Sequence, residues 1–452
     1  GERGWASAHD MVDEVVAARL GPDERGRLHA QLAAALDTPD ADLGELARHW
    51  LGGGDAARAA AAYRDAAQRA LDDLADADAI TLADAGLALA PAGELAAALR
   101  EVRALARLRR GDIGGARADL RDALRLQRSG PVRARLLARL ALLASGADDL
   151  VRAAELAELA LVEAADDAPA RARVLEVAAV LDMNLDRPQR AEQRAAEALS
   201  LYQRLGDATG TARILDGRAM ATFLDGRISR GVELLRRAAD MFEDAGDLVH
   251  VITPRSTAGH GLVFAGEPAA GLALTKAAHE LATTLGNPEG QTYALWHTAE
   301  ALASLQRSDD AHAAATEALE IASRIGHRGW TATAWRALGI AQQAVGDLDA
   351  ALGSFRRSLD ASAHLNLFTC WAAARCALVL VALGRLDEAA PLVSRARSEG
   401  PPLGQFEARL AEVELACARG DAEVADLARS ALRLADDAGM RQHRARLAAL
   451  AG

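Results

Sequence analysis

Apolar residues recur at helical spacing along most of the chain, and glycines interrupt them at regular distances. Thr211 to Leu224 carries one such apolar pattern. Asp225-Gly226-Arg227 breaks it, and Ile228 to Ala245 carries the next. Gly246-Asp247 then breaks the chain again. Glycine suits these ends because it accepts the left-handed backbone conformation that closes a helix. The pattern predicts two helices per unit.

The breaks are periodic. Gly206, Gly246, Gly286 and Gly326 are spaced by 40 residues, and Asn366 holds the next place. Gly226, Gly266 and Gly346 fall on the same period, with Asp186 and Gln306 in the gaps. Small residues keep the same register in three further columns. One reads Ala179, Ala219, Gly259, Ala299, Gly339; another reads Ala191, Gly231, Gly271, Ala311, Ala351; the last reads Ala198, Ala238, Ala278, Ala318, Ser358. Self-similarity at a fixed period predicts a stacked repeat array. The small columns predict close helix crossings, since a larger side chain there would hold two backbones apart. Their offsets place one small residue on the first helix of a pair and two on the second. From Asp72 to Gly146 the pattern is helical but less regular, with breaks at Gly111-Asp112 and Gly130-Pro131. Further units turn near Asp148 and Asp186. After Gly346 the period shortens, to Gly384 and then Gly420-Asp421, as expected where an array ends.

These offsets resemble those of the tetratricopeptide repeat (TPR), whose own period is about 34 residues. The longer period resembles the variant in the C-terminal sensor domains of bacterial signal-transduction ATPases, including LuxR-type transcriptional regulators of the maltose-regulon-activator kind. The resemblance covers roughly Gly111 to Gly439. It implies an all-α fold, a right-handed superhelical α-solenoid of helix pairs. A second stretch supports the same family. A His-acidic helix begins near Ser7, Leu28-His29 follows Arg25, and Leu46-Ala47-Arg48-His49-Trp50 leads to Gly52-Gly53-Gly54-Asp55. That order resembles the segment joining an ATPase core to its repeats. It implies a joining segment over residues 1–71, a repeat domain over 72–452, and an ATPase domain upstream in the same parent chain. The Gly-Glu-Arg start, without Met, fits an excised segment.

Composition narrows the function. The chain has 452 residues and a net charge of −12, which argues against direct nucleic-acid binding by its whole surface. Between Arg100 and Arg139 twelve arginines meet four acids, read as solvated helix faces, with docking of an acidic partner as the alternative. The three cysteines show no disulfide framework, which fits a cytoplasmic protein. No apolar run is long enough to span a bilayer. The phosphate-loop motif is absent, and Lys276, the only lysine, sits mid-helix. His9, His29 and His49 lie 20 apart without metal-ligand spacing, and no Ser-His-Asp arrangement is visible. No cofactor, metal or enzyme activity is therefore expected.

What remains is binding. In the resembled family the groove residues are offset by −6, −3, +1, +4 and +5 from the small residue of the first helix. Here they include Arg173, Glu176, Arg213, Asp216, Met220, Phe223, Ser256, His260, Tyr293, Trp296, Glu300, Thr333 and Arg336. Ten of the fifteen aromatics lie between Phe223 and Trp371, so stacking groups gather beside charged ones. The expected ligand site is Arg213, Asp216, Phe223, His260, Tyr293, Trp296, Glu300 and Arg336. Its expected occupant is a protein or peptide partner, or a small-molecule inducer. Core filling is the competing reading for the aromatics, above all Trp335. A stand-alone TPR adaptor, without an ATPase, is the alternative function.

Overall fold

The computed structural model describes residues 20–146, 149–185, 187–362 and 365–452. Trp5, His9, Asp148 and Asp186 lie outside the described residues. The described residues form 23 helices and no strand. By packing they divide between Arg128 and Ser129 into two compact units.

The first unit contains α1 (Pro22–Leu36), α2 (Leu43–Gly52), α3 (Ala56–Asp72), α4 (Asp76–Ala88), α5 (Gly93–Arg109) and α6 (Ile113–Leu126). Leu46, Ala47, Trp50 and Ala59 form one core cluster; Leu71, Leu99 and Val102 belong to another. The twenty-residue spacing brings His29 and His49 together, with their Nδ1 atoms 2.9 Å apart. No third ligand completes a metal-binding group among the described residues. Part of the arginine-rich stretch is tied inward, while Arg110, Arg121, Arg125 and Arg128 are exposed. Arg103 and Arg107 both bond Asp119, at 2.9 and 2.7 Å, and Arg109 reaches Asp76 at 3.2 Å.

The second unit is an α-solenoid of consecutively packed pairs. Its helices are α7 (Pro131–Gly146), α8 (Leu150–Glu163), α9 (Ala168–Asn184), α10 (Pro188–Leu205), α11 (Ala208–Leu224), α12 (Ile228–Asp244), α13 (Leu248–Phe264), α14 (Pro268–Thr284) and α15 (Pro288–Ser304). They continue as α16 (Ser308–Ile325), α17 (Arg328–Ala344), α18 (Leu348–Ala361), α19 (Asn366–Ala382), α20 (Leu386–Ser398), α21 (Pro402–Arg419), α22 (Val424–Ala438) and α23 (Arg444–Ala451). Odd-numbered helices are the first members of the pairs, and from α7 to α19 each packs on the next odd-numbered one as well as on its neighbours in sequence within the unit.

Local chemistry sets the boundaries. Asp207, Asn287 and Asp347 each accept a hydrogen bond from the backbone N–H three residues on, which satisfies an otherwise orphaned helix-start donor. Gly206 and Gly226 close helices in the left-handed region, at φ 68° and 78°. Gln306, standing where the register elsewhere has glycine, adopts the same conformation at φ 61°. Asn366 departs from the expected pattern. It opens α19 rather than closing a helix, because the connection before it lengthens.

The small columns lie at the crossings. A Cβ placed on Gly271 of α14 would sit 2.5 Å from the carbonyl oxygen of Gly259 on α13. A Cβ on Gly231 would meet the Phe223 Cα at 2.9 Å, and one on Gly339 would meet the Phe355 ring at 2.7 Å. Ala238, Ala278, Ala318 and Ser358 are buried throughout.

The end of the array meets its middle. Helix α21 packs more heavily on α19 than on α20, and its N-terminus reaches α11. The Arg441 N–H donates to the carbonyl of Phe264, the last residue of α13, at 2.8 Å. Residues 402–452 therefore lie across the first-helix face of α11 to α17.

Candidate binding groove

Repeats in register place residues 36–40 apart side by side, and they do so here. Phe223 (α11), His260 (α13), Tyr293, Trp296 and Glu300 (α15) and Arg336 (α17) meet at one place on the first-helix face. The sequence predicts an open face at this place, but in the structure it is closed. Phe223, His260, Trp296, Glu300 and Arg336 are no more than 5% exposed, and Tyr293 is 9% exposed. Leu403, Phe406, Leu410 and Val413 of α21 share their apolar cluster.

The polar groups are linked into one chain of charges. The Glu300 carboxylate bonds His260 Nε2 at 3.0 Å through one oxygen and the Arg336 guanidinium through the other. Arg336 Nη2 donates to Glu407 of α21 at 2.8 Å, and Arg375 Nε donates to the same oxygen at 3.0 Å. The Arg336 guanidinium stacks 4.5 Å above Trp371. Burial would raise the Glu300 carboxyl, but Arg336 and His260 outweigh it and hold the group down to about 2. Glu407 is likewise lowered: burial opposes its charge, and Arg336 and Arg375 restore it.

A layer of hydrogen bonds lies beside this chain. Tyr293 OH pairs with Thr257 Oγ1 at 2.8 Å, and Ser256 Oγ with His297 Nδ1 at 2.7 Å. His297 stacks on His260 with ring centroids 4.4 Å apart. Burial, then the neighbouring His260 and Arg336, holds His297 well below its ordinary value. The serine and histidine come from successive repeats, so linear spacing did not show them as a pair. Both are sealed from solvent, at 0% and 1% exposure, which leaves no approach for a substrate.

Arg213 and Asp216 stand at the other edge. Arg213 Nε donates to Glu176 at 3.1 Å, Tyr202 OH donates to the same carboxylate at 2.6 Å, and Arg173 pairs with it too. Among the described residues no positive group offsets the burial of Asp216. Burial, with the neighbouring Glu176 charge, pushes its carboxyl up to about 7, and its Oδ1 has no hydrogen-bond partner. Trp335 packs against the same apolar cluster and is half-buried under Arg357 at 4.7 Å. Sequence reasoning missed Arg375 and Glu407. The available signal was Glu407 itself, a carboxylate inside the apolar series Leu403, Phe406, Leu410, Val413.

Residues 291–364 match the family model described as Tetratricopeptide repeat. Among solved structures, a Rap protein complexed with competence and sporulation factor aligns with a TM-score of 0.50 and 14% identity. The alignment covers 70% of this chain and 96% of that one. The chain carries a TPR-like repeat region. The apo form of RapI aligns at a TM-score of 0.44 and 12% identity, over 59% of this chain and 98% of that one. No curated protein matches the sequence. No helix among the described residues is long and apolar enough to cross a membrane.

Proposed function

We propose that this chain is the sensor and scaffold segment of a bacterial ATP-dependent transcriptional regulator, and that its partner docks on the first-helix face. The observation that carries the reading is the convergence of His260, Glu300 and Arg336 with Phe223, Tyr293 and Trp296. A solenoid needs only small and apolar residues to stack its pairs. Buried charges add desolvation cost to a core. On a recognition face the same charges select a partner of complementary charge. The Rap protein bound to competence and sporulation factor, a fold likeness at 14% identity, is consistent with a protein or peptide ligand here. A small-molecule inducer fits the same groups less well, because the patch spans four first helices.

In the regulator, binding shifts an upstream ATPase between resting and assembled states, which requires different affinity for the two. Resemblance to the ATPase-joining segment over residues 1–71 favours this over a stand-alone adaptor. Binding is tested by thermal-shift screening of peptides, sugars and nucleotides, followed by hydrogen exchange. A true ligand slows exchange in α13, α15 and α17, and Trp296→Ala weakens it at least tenfold while helix content is unchanged. A ligand that protects only other helices, or ignores Trp296→Ala, overturns the groove. The reading frame of the parent gene should encode a phosphate loop upstream, and its lack would leave the adaptor.

A further inference from the structure

The groove is occupied by its own chain. We infer that residues 402–452 are an intramolecular ligand of the first-helix face. In this inference the partner that displaces them presents an amphipathic helix with a carboxylate set within its apolar stripe. The inference rests on the groove reading above.

Three observations carry it. The first is charge. Arg336 and Arg375 are 1% and 6% exposed, and among the described residues Glu300 is the only carboxylate of α11 to α19 bonded to Arg336. Glu407 supplies the second carboxylate, bonded to both arginines. Remove it and two buried guanidinium groups face one acid. A buried unpaired charge is strongly unfavourable, so whatever fills this groove must bring a carboxylate to that point.

The second is pattern. Leu403, Phe406, Leu410 and Val413 recur at three- and four-residue spacing, with Glu407 beside them, and all five are buried. That is how an amphipathic helix lies in a groove. Helix α21 packs on α19 and α20 as the array's earlier first helices pack on theirs, and beyond that stacking it also reaches α11, ten helices back in the chain.

The third is imperfect fit along the seam. A partly open cleft of about 240 Å³ lies between Gln442-His443 and the ends of α13, α15 and α17, lined also by Glu300 and Arg375. Another partly open cleft, of about 160 Å³, lies beside the seam where Asp225–Ile228 meet Pro402, Phe406 and Met440. Glu407 Oε2, Trp296 Nε1 and His443 Nε2 are shielded from solvent without hydrogen-bond partners. His443 is held at φ +62°, a conformation that side chains other than glycine rarely adopt. A partner helix that fills these gaps and bonds these atoms has a margin over the resident segment, which is what displacement requires.

The test uses the full chain and a fluorescent synthetic peptide copying residues 401–420. Glu407→Gln in the chain weakens the resident segment but keeps the groove. This variant should bind the peptide at least tenfold more tightly than the unaltered chain, and a peptide carrying Gln at the 407 position should lose that binding. Hydrogen exchange on the unaltered chain gives a second measure that does not depend on the variant folding. Amides of residues 402–452 should exchange ahead of those in α13 to α17. Exchange of 402–452 together with the rest, in one cooperative step, overturns the inference and leaves the groove reading standing. Equal binding of the Glu and Gln peptides also overturns it. A peptide that binds but protects only helices outside α11 to α19 overturns both.

Discussion

Gly259→Ala isolates the close crossing on which the repeat register depends. The new Cβ would lie 2.8 Å from the Gly271 carbonyl oxygen and 2.7 Å from Thr275 Cγ2. The first contact is with backbone, so side-chain rotation cannot relieve it, and α13 and α14 must separate by several tenths of an ångström. Overpacking of this kind costs about 1–3 kcal/mol. Alanine's better helix propensity returns about 1 kcal/mol, so the net loss is about 1 kcal/mol and is larger for Gly259→Leu. Gly217 provides the control. It lies inside α11 with nothing within 4 Å of its Cβ position, so Gly217→Ala keeps the propensity gain without the clash. The two substitutions are chemically identical and should shift stability in opposite directions. Denaturant unfolding followed by tryptophan fluorescence reads this well, since Trp296, Trp330, Trp335 and Trp371 all lie in the second unit. Hydrogen exchange should place the loss in α13 and α14 first. An unchanged midpoint for Gly259→Ala, or a fall for Gly217→Ala of the same size, would refute the assigned crossing.

Two further outcomes follow from single groups. The Asp216 carboxyl, raised by burial and by Glu176 from its ordinary 3.8 to about 7, keeps a proton in the folded state that the unfolded chain releases. Stability should therefore fall as pH rises between those values. Asp216→Asn should gain more in melting temperature at pH 8 than at pH 5, and an equal gain at both would disprove the shift. Gln306→Gly, which suits the left-handed φ of 61°, should stabilise the turn between α15 and α16 by about 1 kcal/mol, and a lower melting temperature would contradict it.

The helices, their pairing and their crossings were legible in the sequence because their causes are local and repeated. Apolar spacing fixes each buried stripe, and Gly206, Gly226, Asp207 and Asn287 mark ends through the backbone at their own positions. The columns at Gly259 and Gly271 reflect one contact between neighbouring helices, met again in every unit. The same register sets His260, Glu300 and Arg336 side by side, because they lie 40 and 36 residues apart and each interval is close to one repeat. Tertiary structure alone decided what covers them. The bonds from Arg336 and Arg375 to Glu407 join residues 71 and 32 positions apart, and the Arg441 N–H closes on Phe264 from a still more distant part of the chain. The repeat predicts neither the contact across 71 residues nor the one from Arg441 to Phe264, because they occur once. They depend on how curvature accumulates over successive pairs until the end of the array meets its middle. A periodic sequence specifies each step of that curvature, but whether the face stays open depends on the sum of the steps and on the segment that arrives there.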